Sequence, residues 1–347
     1  MTDIEVSELG FGTWTLATSW WGGKTDQEAV SLLREACELG VTYYDTADTY
    51  GNGRGEWLLA EAFSSSEREK IVIGTKFGYD WKSRAADEQA GHQEAPHDWS
   101  LPFLESALHG SLDRLDTDYI DIYQLHNPRL ADLKQDHIWT FLDQAKQAGK
   151  IRSVGVALGP AIGWLEEGVY SMRDRGVDIV QMIYNALELD PGRELIEVAR
   201  EEGVSLLARV PHSSGMLEGV YTADTVFSKD DHRSHRPREW LINGLKKIEQ
   251  LAFLCDDGGK ENGGVLAQAA LRWVMRSPEV VSALPNIYNK DQLYEFSAAS
   301  NCSDISDEEA ARVELLYESN YGLERVRESG LASTKNKTDD SNMVQAR

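Results

Sequence analysis

The sequence predicts a single (β/α)8 barrel with long βα loops, an α/β fold in which a closed parallel sheet is surrounded by helices. Short apolar runs alternate with helical patterns along the chain, which favours a parallel sheet with crossover helices. Eight strand–helix units within roughly 300 residues fit one barrel. A doubly wound fold is disfavoured because no GxGxxG motif follows an early strand; the glycines of Gly51-Asn52-Gly53-Arg54-Gly55 have a different spacing.

Seven strands are predicted from apolar runs, at residues 42–45, 71–76, 119–124, 151–157, 179–183, 205–208 and 280–284, and an eighth is expected near residues 9–14. The first helix should begin at the capping box Thr25-Asp26-Gln27-Glu28 and end at Gly40. Ser100 is expected to be the N-cap of a later helix.

The composition predicts one globular domain followed by a polar tail. Of the 347 residues, 41% are hydrophobic, enough to bury a substantial core. We expect the barrel to occupy residues 1–327 and the polar segment 328–347 to be disordered. Two long polar stretches, 80–99 and 211–237, interrupt the repeat and are expected to be functional loops.

The charge and the cysteines restrict partners and location. The net charge of −23 disfavours binding to nucleic acid or to an anionic membrane, and it is also compatible with a salty cytoplasm. No run of about 18 apolar residues and no signal-peptide pattern occurs. The three cysteines lack metal-ligand spacing, so we expect reduced thiols, no metal site and a cytoplasmic protein. A monomer is favoured because a barrel closes its own sheet.

Four residues near strand ends are candidates for catalysis: Asp45, Tyr50, Lys76 and His126. Parallel barrels collect their chemistry at the carboxyl ends of the strands. Taken singly, such an aspartate is often a helix cap, such a tyrosine part of the core, and such a histidine structural. Lysine is costly to bury without a partner. All four together, in order, favour one catalytic unit.

These side chains suit carbonyl chemistry. Reduction of a carbonyl needs a hydride on carbon and a proton on the developing alkoxide. A phenol is a weak acid near pH 7 and needs a nearby cation to assist it. Lys76 can favour the phenolate of Tyr50, Asp45 can orient the ammonium, and His126 can donate a hydrogen bond to the carbonyl.

Four segments of the chain carry a family pattern: Leu9-Gly10-Phe11-Gly12-Thr13-Trp14, Tyr44-Asp45-Thr46-Ala47-Asp48-Thr49-Tyr50-Gly51, Thr75-Lys76-Phe77-Gly78, and Asp118-Tyr119-Ile120-Asp121-Ile122-Tyr123-Gln124-Leu125-His126. In these the chain resembles the aldo-keto reductase superfamily, especially microbial members related to potassium-channel β subunits, over about residues 9–321. The resemblance implies an NAD(P)(H)-dependent oxidoreductase in which Tyr50 is the general acid, Lys76 and Asp45 tune it, and His126 orients the substrate.

The resemblance also implies a set of cofactor contacts: Gly12, Thr13, Trp14, Asp45, Gln181, Arg209, Pro211, Ser213, Gly215, Leu217, Asn286, Tyr288, Asn289 and Gln292. Relatives usually bind the nicotinamide amide with a Ser-Asn pair, which Ala157 and Leu158 replace here, whereas Gln181 matches the family's amide-binding glutamine. Arg209 stands where many relatives have a stacking aromatic. A guanidinium can stack similarly, or it can pair with a surface acid.

The adenosine end departs further from the family. Asn286, Tyr288 and Gln292 occupy positions where relatives carry basic residues for the 2′-phosphate of NADP, and Lys290 is the cation that remains. We therefore expect use of NADH, or of both cofactors, with Asn289 or Gln292 bound to a free 2′-hydroxyl and Tyr288 stacked on adenine. The segment Asp231-His232-Arg233-Ser234-His235-Arg236-Pro237-Arg238 could instead supply cations over the cofactor, or it could be a surface segment paired with acids such as Glu239.

Aromatic side chains at the strand ends are expected to shape the substrate pocket: Trp14, Trp20, Trp21, Tyr79 and Trp81. Simple packing is the alternative for these residues. Two other functions stay open. One is a cofactor-binding redox sensor with little turnover. The other is a barrel enzyme without nicotinamide, which would need a metal site or a carboxylate pair that the sequence does not suggest.

Overall fold

A computed structural model describes residues 4–83, 95–159, 163–229, 231–255 and 265–324. Its sheet contains eight strands in the order β1 to β8, and each neighbouring pair is parallel. The strands are β1 (Phe11–Gly12), β2 (Tyr43–Asp45), β3 (Val72–Phe77), β4 (Ile120–His126), β5 (Ile151–Ala157), β6 (Ile179–Ile183), β7 (Ser205–Arg209) and β8 (Val280–Leu284). A parallel bridge between Leu9 and Ala283 joins β8 to the residues before β1. The predicted (β/α)8 barrel is confirmed.

Helices follow the strands around the outside of the barrel. In the described residues they are α1 (Trp14–Ala17), α2 (Asp26–Glu38), α3 (Arg54–Ala62), α4 (Ser65–Arg68), α5 (Leu101–Leu115), α6 (Leu130–Leu133), α7 (Asp136–Gln147), α8 (Leu165–Arg173), α9 (Gly192–Glu202), α10 (Arg238–Gln250), α11 (Leu266–Met275), α12 (Lys290–Ser297) and α13 (Asp307–Glu318). None of these helices is long and apolar enough to span a membrane.

Local sequence signals correctly locate the starts of α2 and α5. The capping box forms at the start of α2, where the Thr25 amide donates to Glu28 at 2.9 Å and the Glu28 amide donates to Thr25 Oγ1 at 3.3 Å. Ser100 is the N-cap of α5, although its side chain makes no capping hydrogen bond. The strand expected near residues 9–14 is shorter, because β1 covers only Phe11–Gly12, Thr13 is the N-cap of α1 and Trp14 begins that helix.

Two apolar layers hold the barrel together. Most buried side chains lie between the sheet and the helices. A smaller cluster lies on the opposite, inner face of the strands and contains Tyr43, Val72, Ile122, Ile179, Leu207 and Leu284, with Ile4 and Val6 packed against it. The inner layer fills the barrel below the catalytic candidates, so the barrel is a packed core rather than a pore.

Some expectations fall wholly or partly outside the described residues. The polar tail at 328–347 lies outside them, as do residues 84–94 of the loop predicted at 80–99 and residue 230 of the loop predicted at 211–237.

We predict that Leu195→Ala lowers the free energy of unfolding by about 2–5 kcal/mol, because Leu195 is fully buried on α9 and its removal leaves a cavity. Glu197→Ala, at an exposed position of the same helix, is the matched control and should change stability by no more than about 0.5 kcal/mol. Urea unfolding of both variants measures the difference. Equal losses would contradict the packing described for α9.

Candidate active site

The strand ends bring the candidate residues to one mouth of the barrel. Asp45 ends β2, Lys76 lies near the end of β3, and His126 ends β4. Tyr50 lies in the loop between β2 and α3, and Gly51 follows it with φ +60°. A Cβ at Gly51 would lie 2.3 Å from the carbonyl oxygen of Ala17, so this turn requires glycine.

Lys76 is the centre of the site. Its ammonium is buried and donates three hydrogen bonds: to Asp45 Oδ1 at 2.6 Å, to the Thr46 carbonyl at 2.8 Å and to the Tyr50 hydroxyl at 3.4 Å. An ammonium has three N–H groups, so these acceptors use all of them. Burial disfavours the charged form, but Asp45 and Tyr50 outweigh burial, and the pKa of Lys76 is raised. The side chain is therefore a fixed cation beside the phenol.

Asp45 is equally well satisfied. While Oδ1 accepts from Lys76, Oδ2 accepts from Gln181 Nε2 at 2.8 Å and from the Tyr43 hydroxyl at 3.2 Å. The amide of Gln124 approaches the same oxygen at 3.5 Å. A buried carboxylate with this many donors is held in one orientation. Gln181 thus contacts Asp45 directly, a contact that the sequence does not predict.

His126 faces Tyr50 across the mouth, with ring centroids 6.0 Å apart and rings nearly perpendicular. Burial lowers the pKa of His126 well below its ordinary value, and the cations Lys76 and Arg209 add to this effect, followed by His97. The imidazole is therefore neutral at pH 7 and carries a single N–H. In the described part of the chain its Nδ1 is buried without a hydrogen-bond partner.

Arg209 ends β7 and reaches across to the loop after β5. Its Nη2 donates to the carbonyl oxygens of Leu158 at 2.9 Å and Gly159 at 2.7 Å, while its Nε is buried and unpaired among the described residues. Ala157 and Leu158 are both buried, and Leu158 belongs to the outer apolar core. The edge at which the family's Ser-Asn pair is missing is therefore occupied by a guanidinium rather than by polar side chains on β5.

The loop after β7 is a tight turn with an unusual backbone. Val210, Ser213, Ser214 and Gly215 all have positive φ, between 47° and 88°. Such values are strained for residues other than glycine, most of all for β-branched Val210, and strain of this kind concentrates at functional sites. The predicted contacts Pro211, Ser213, Gly215 and Leu217 all lie in this buried turn.

The loop after β8 leads into α12. Asn289 is the N-cap of α12, and its Oδ1 accepts from the Gln292 amide at 2.8 Å. The side chain of Gln292 accepts from the Tyr288 amide at 3.2 Å and donates to Glu218 at 2.9 Å. Lys290 pairs with Glu35 at 2.5 Å. Asn286 lies in the same loop. The polar residues predicted to meet the adenosine thus already bind one another.

Part of the basic segment at residues 231–238 packs against the first βα loop. The His232 amide donates to the Trp20 carbonyl at 3.2 Å, and the His232 ring packs 5.6 Å from Trp14 and 4.7 Å from Trp21. Arg233 lies over Trp21 at 4.0 Å. Trp14, Trp20 and Trp21 are therefore packed together with the β7 loop, at the side of the mouth formed by Gly12 and Thr13.

Arg233 is not the surface residue that one of the two interpretations expected. It is buried and paired with Asp231 at 2.5 Å, and it also contacts the hydroxyl of Tyr221. Of the other basic residues, Arg236 lies 5.1 Å from the centre of the Trp240 ring and Arg238 donates to the Thr225 carbonyl at 2.7 Å.

Two further aromatics take different places. Tyr79 packs edge-on against His126 with centroids 5.0 Å apart, so it lies at the mouth. Trp81 instead lies 5.9 Å from the guanidinium of Arg114, towards α5.

The sequence did not lead us to predict that Tyr43, Thr46 and Glu218 belong to these networks. Of the three, only Glu218 could have been suspected, because it lies in the loop after β7. No group of His, Cys, Asp or Glu within the described ranges is arranged to hold a metal ion.

Comparisons with known proteins agree with this geometry. The model of the aldo/keto reductase family matches residues 8–318. The NADH-specific methylglyoxal reductase of Escherichia coli is 28% identical over 332 residues, covering 93% of this chain and 98% of that protein. The aldo-keto reductase yakc [NADP(+)] of Schizosaccharomyces pombe is 27% identical, covering 81% and 79% of the two chains.

A comparison with solved structures supports the same family. The holo form of aldo-keto reductase AKR11C1 from Bacillus halodurans is 26% identical with a TM-score of 0.71, and the match covers 91% of this chain and 94% of that one. The chain therefore belongs to the aldo/keto reductase family and, as a member of it, is an NAD(P)-dependent oxidoreductase.

Proposed function

We propose that the chain reduces aldehyde or ketone carbonyls to alcohols, or catalyses the reverse reaction on an alcohol or sugar, with Tyr50 as the proton donor. One observation carries the proposal: the buried Lys76 ammonium donates to the Tyr50 hydroxyl while Asp45 and Thr46 take its two other protons. A hydroxyl that accepts from a cation keeps its own proton for another acceptor. That acceptor would be the substrate oxygen.

The proton transfer follows from these contacts. As negative charge develops on the substrate oxygen, Tyr50 gives up its proton and becomes a phenolate. The Lys76 ammonium, 3.4 Å from the phenol oxygen, stabilises that charge. In the reverse direction the phenolate accepts the proton of an alcohol. Because Asp45 fixes the ammonium, the stabilisation requires no rearrangement during the reaction.

His126 supports the proposal through its protonation state. A neutral imidazole with one N–H can donate to a carbonyl oxygen without competing as an acid with Tyr50. Its lowered pKa keeps it in this form. With Tyr50 and His126 edge-to-face across the mouth, both can reach one substrate oxygen.

The residues at the mouth fit a nicotinamide dinucleotide. We expect the nicotinamide beside Gln181 and Arg209, whose Nε is buried and unpaired among the residues that the structure describes. The strained turn of Ser213, Gly215 and Leu217 would offer backbone groups to the phosphates, and the loop from Asn286 to Gln292 would border the adenosine. When bound, the nicotinamide supplies or accepts the hydride. The two named relatives differ in the cofactor that their names state, so kinship alone leaves the preference open.

We propose in addition that the chain acts as a cytoplasmic monomer on a small molecule and does not bind nucleic acid. All residues assigned to the reaction come from one barrel. The three cysteines are free thiols, and the net charge is −23. A redox sensor with little turnover is not favoured, because the site holds a proton donor, Tyr50, beside a fixed cation.

Tyr50→Phe should lower kcat for aldehyde reduction by about 100- to 10,000-fold, because it removes the acid but retains the ring. The dissociation constant of the cofactor should change less than about twofold. Steady-state kinetics and calorimetry measure the two quantities. Tyr170→Phe, on outer helix α8, is the matched control and should have wild-type activity. Full activity in Tyr50→Phe would rule out the proposed acid.

Lys76→Met should also abolish most activity, and it should reduce stability by about 3–5 kcal/mol because the Asp45 carboxylate stays buried without its cation. The double variant Asp45→Asn/Lys76→Met removes that stranded charge. It should recover most of the stability and none of the activity, as measured by urea unfolding and turnover. Wild-type stability in the single variant would show that Asp45 does not depend on Lys76.

The His126 imidazole should stay neutral as the pH falls through about 6.5, where an ordinary histidine becomes protonated. Below about pH 6.5 the unfolded chain therefore binds a proton that folded His126 does not, and this residue lowers stability as the pH falls. Nitrogen NMR, with the signal assigned from a His126→Asn variant, measures the titration. A midpoint near pH 6.5 would contradict the account of its burial.

A further inference from the structure

We propose that Glu218 makes this protein selective for NADH, by accepting hydrogen bonds from the hydroxyls of the adenosine ribose and by repelling a 2′-phosphate. The inference rests on the proposed function, since it requires that a nicotinamide dinucleotide binds at the barrel mouth.

The position of Glu218 follows from the fold. Barrels of this type commonly bind phosphate groups between the loops after strands 7 and 8 and the N-terminus of a short helix. Here the 3-10 turn Met216–Glu218 follows β7, and α12 follows β8. The hydrogen bond of 2.9 Å from Gln292 Nε2 to the Glu218 carboxylate joins the two loops. A carboxylate is therefore fixed where a phosphate site would be expected.

Glu218 still has acceptor capacity. A carboxylate offers about four lone-pair positions, and Gln292 uses one of them. By contrast, the Asn289 oxygen is used to cap α12, and the Gln292 oxygen accepts from Tyr288. The two side chains that the sequence suggests for the ribose hydroxyl are thus engaged in holding the loop, and the neighbouring carboxylate is better suited to accept from the ribose.

Within the described ranges of the chain, no cation forms an ion pair with Glu218. Burial raises its pKa to about 7, opposed by the Gln292 hydrogen bond and the charge of Arg233, while Glu295 of α12 adds to the increase. Arg233 is already bound to Asp231, and Lys290 is bound to Glu35. Above pH 7 the Glu218 carboxyl is ionised, and a 2′-phosphate placed here would then bring a second negative charge beside it.

The chemistry by which proteins distinguish NAD from NADP is general. In dinucleotide-binding proteins, an NAD site usually has a carboxylate that accepts a hydrogen bond from the ribose 2′-hydroxyl. An NADP site instead has an arginine that accommodates the 2′-phosphate. Like charges brought together in a binding site oppose association strongly. Glu218 would thus act on binding of the adenosine half, far from the atoms that react at Tyr50.

The test is calorimetric titration of the full chain with NADH and with NADPH, without substrate. The wild-type protein should bind NADH at least about tenfold more tightly than NADPH. Glu218→Gln keeps the bond with Gln292 but removes the charge, and it should bring the two dissociation constants within about threefold, mainly by tightening NADPH. Glu105→Gln, an exposed acid on α5, is the matched control and should leave the ratio unchanged.

The outcomes separate the two proposals. If neither dinucleotide binds, the proposed function and this inference both fail. If the wild type binds NADPH as tightly as NADH, the function stands and the role of Glu218 is wrong. Glu218→Ser serves as a second variant should Glu218→Gln not fold. A folded variant of either kind that keeps the wild-type ratio would also overturn the inference, and Arg236→Gln would then show whether that cation binds the phosphate.

Discussion

The buried ion pair between Lys76 and Asp45 is the interaction on which the site depends. Either charge alone would be costly at this depth, so each fixes the other. The pair needs the closed barrel, because its further partners come from β2, from β6 and from the loop after β2. The pair places a permanent cation beside Tyr50. The Tyr50 hydroxyl accepts a hydrogen bond from that cation and is free to donate its own proton.

Charge is distributed unevenly between the site and the whole chain. The chain carries a net charge of −23, yet the strand ends hold two cations, the buried Lys76 and the half-buried Arg209, as well as the carboxylate of Asp45. Arg209 is bound by backbone carbonyls rather than by an acid. A cation bound only by neutral carbonyls can attract an anionic ligand locally, whereas the acidic surface of the chain repels polyanions.

The sequence allowed the barrel and the four strand-end residues to be predicted, because apolar runs and the polar residues that end them are local signals. What it could not show is pairing between side chains of elements that are distant along the chain. Lys290 is matched with Glu35 and Gln292 with Glu218, and neither acid has a sequence signal that names its partner. Arg233 was expected on the surface or over a cofactor, but its guanidinium packs against Trp21, which lies more than 200 residues earlier in the chain.

The most direct test of this mechanism is transfer of label from NADH in which both hydrogens on the reactive carbon of the nicotinamide are deuterium. The purified protein is incubated with this cofactor and a simple aldehyde, and the alcohol is analysed by mass spectrometry. We expect one deuterium in each alcohol molecule formed by the wild-type protein, and almost no alcohol with Lys76→Met. Alcohol without deuterium, or equal yield from both proteins, would contradict it.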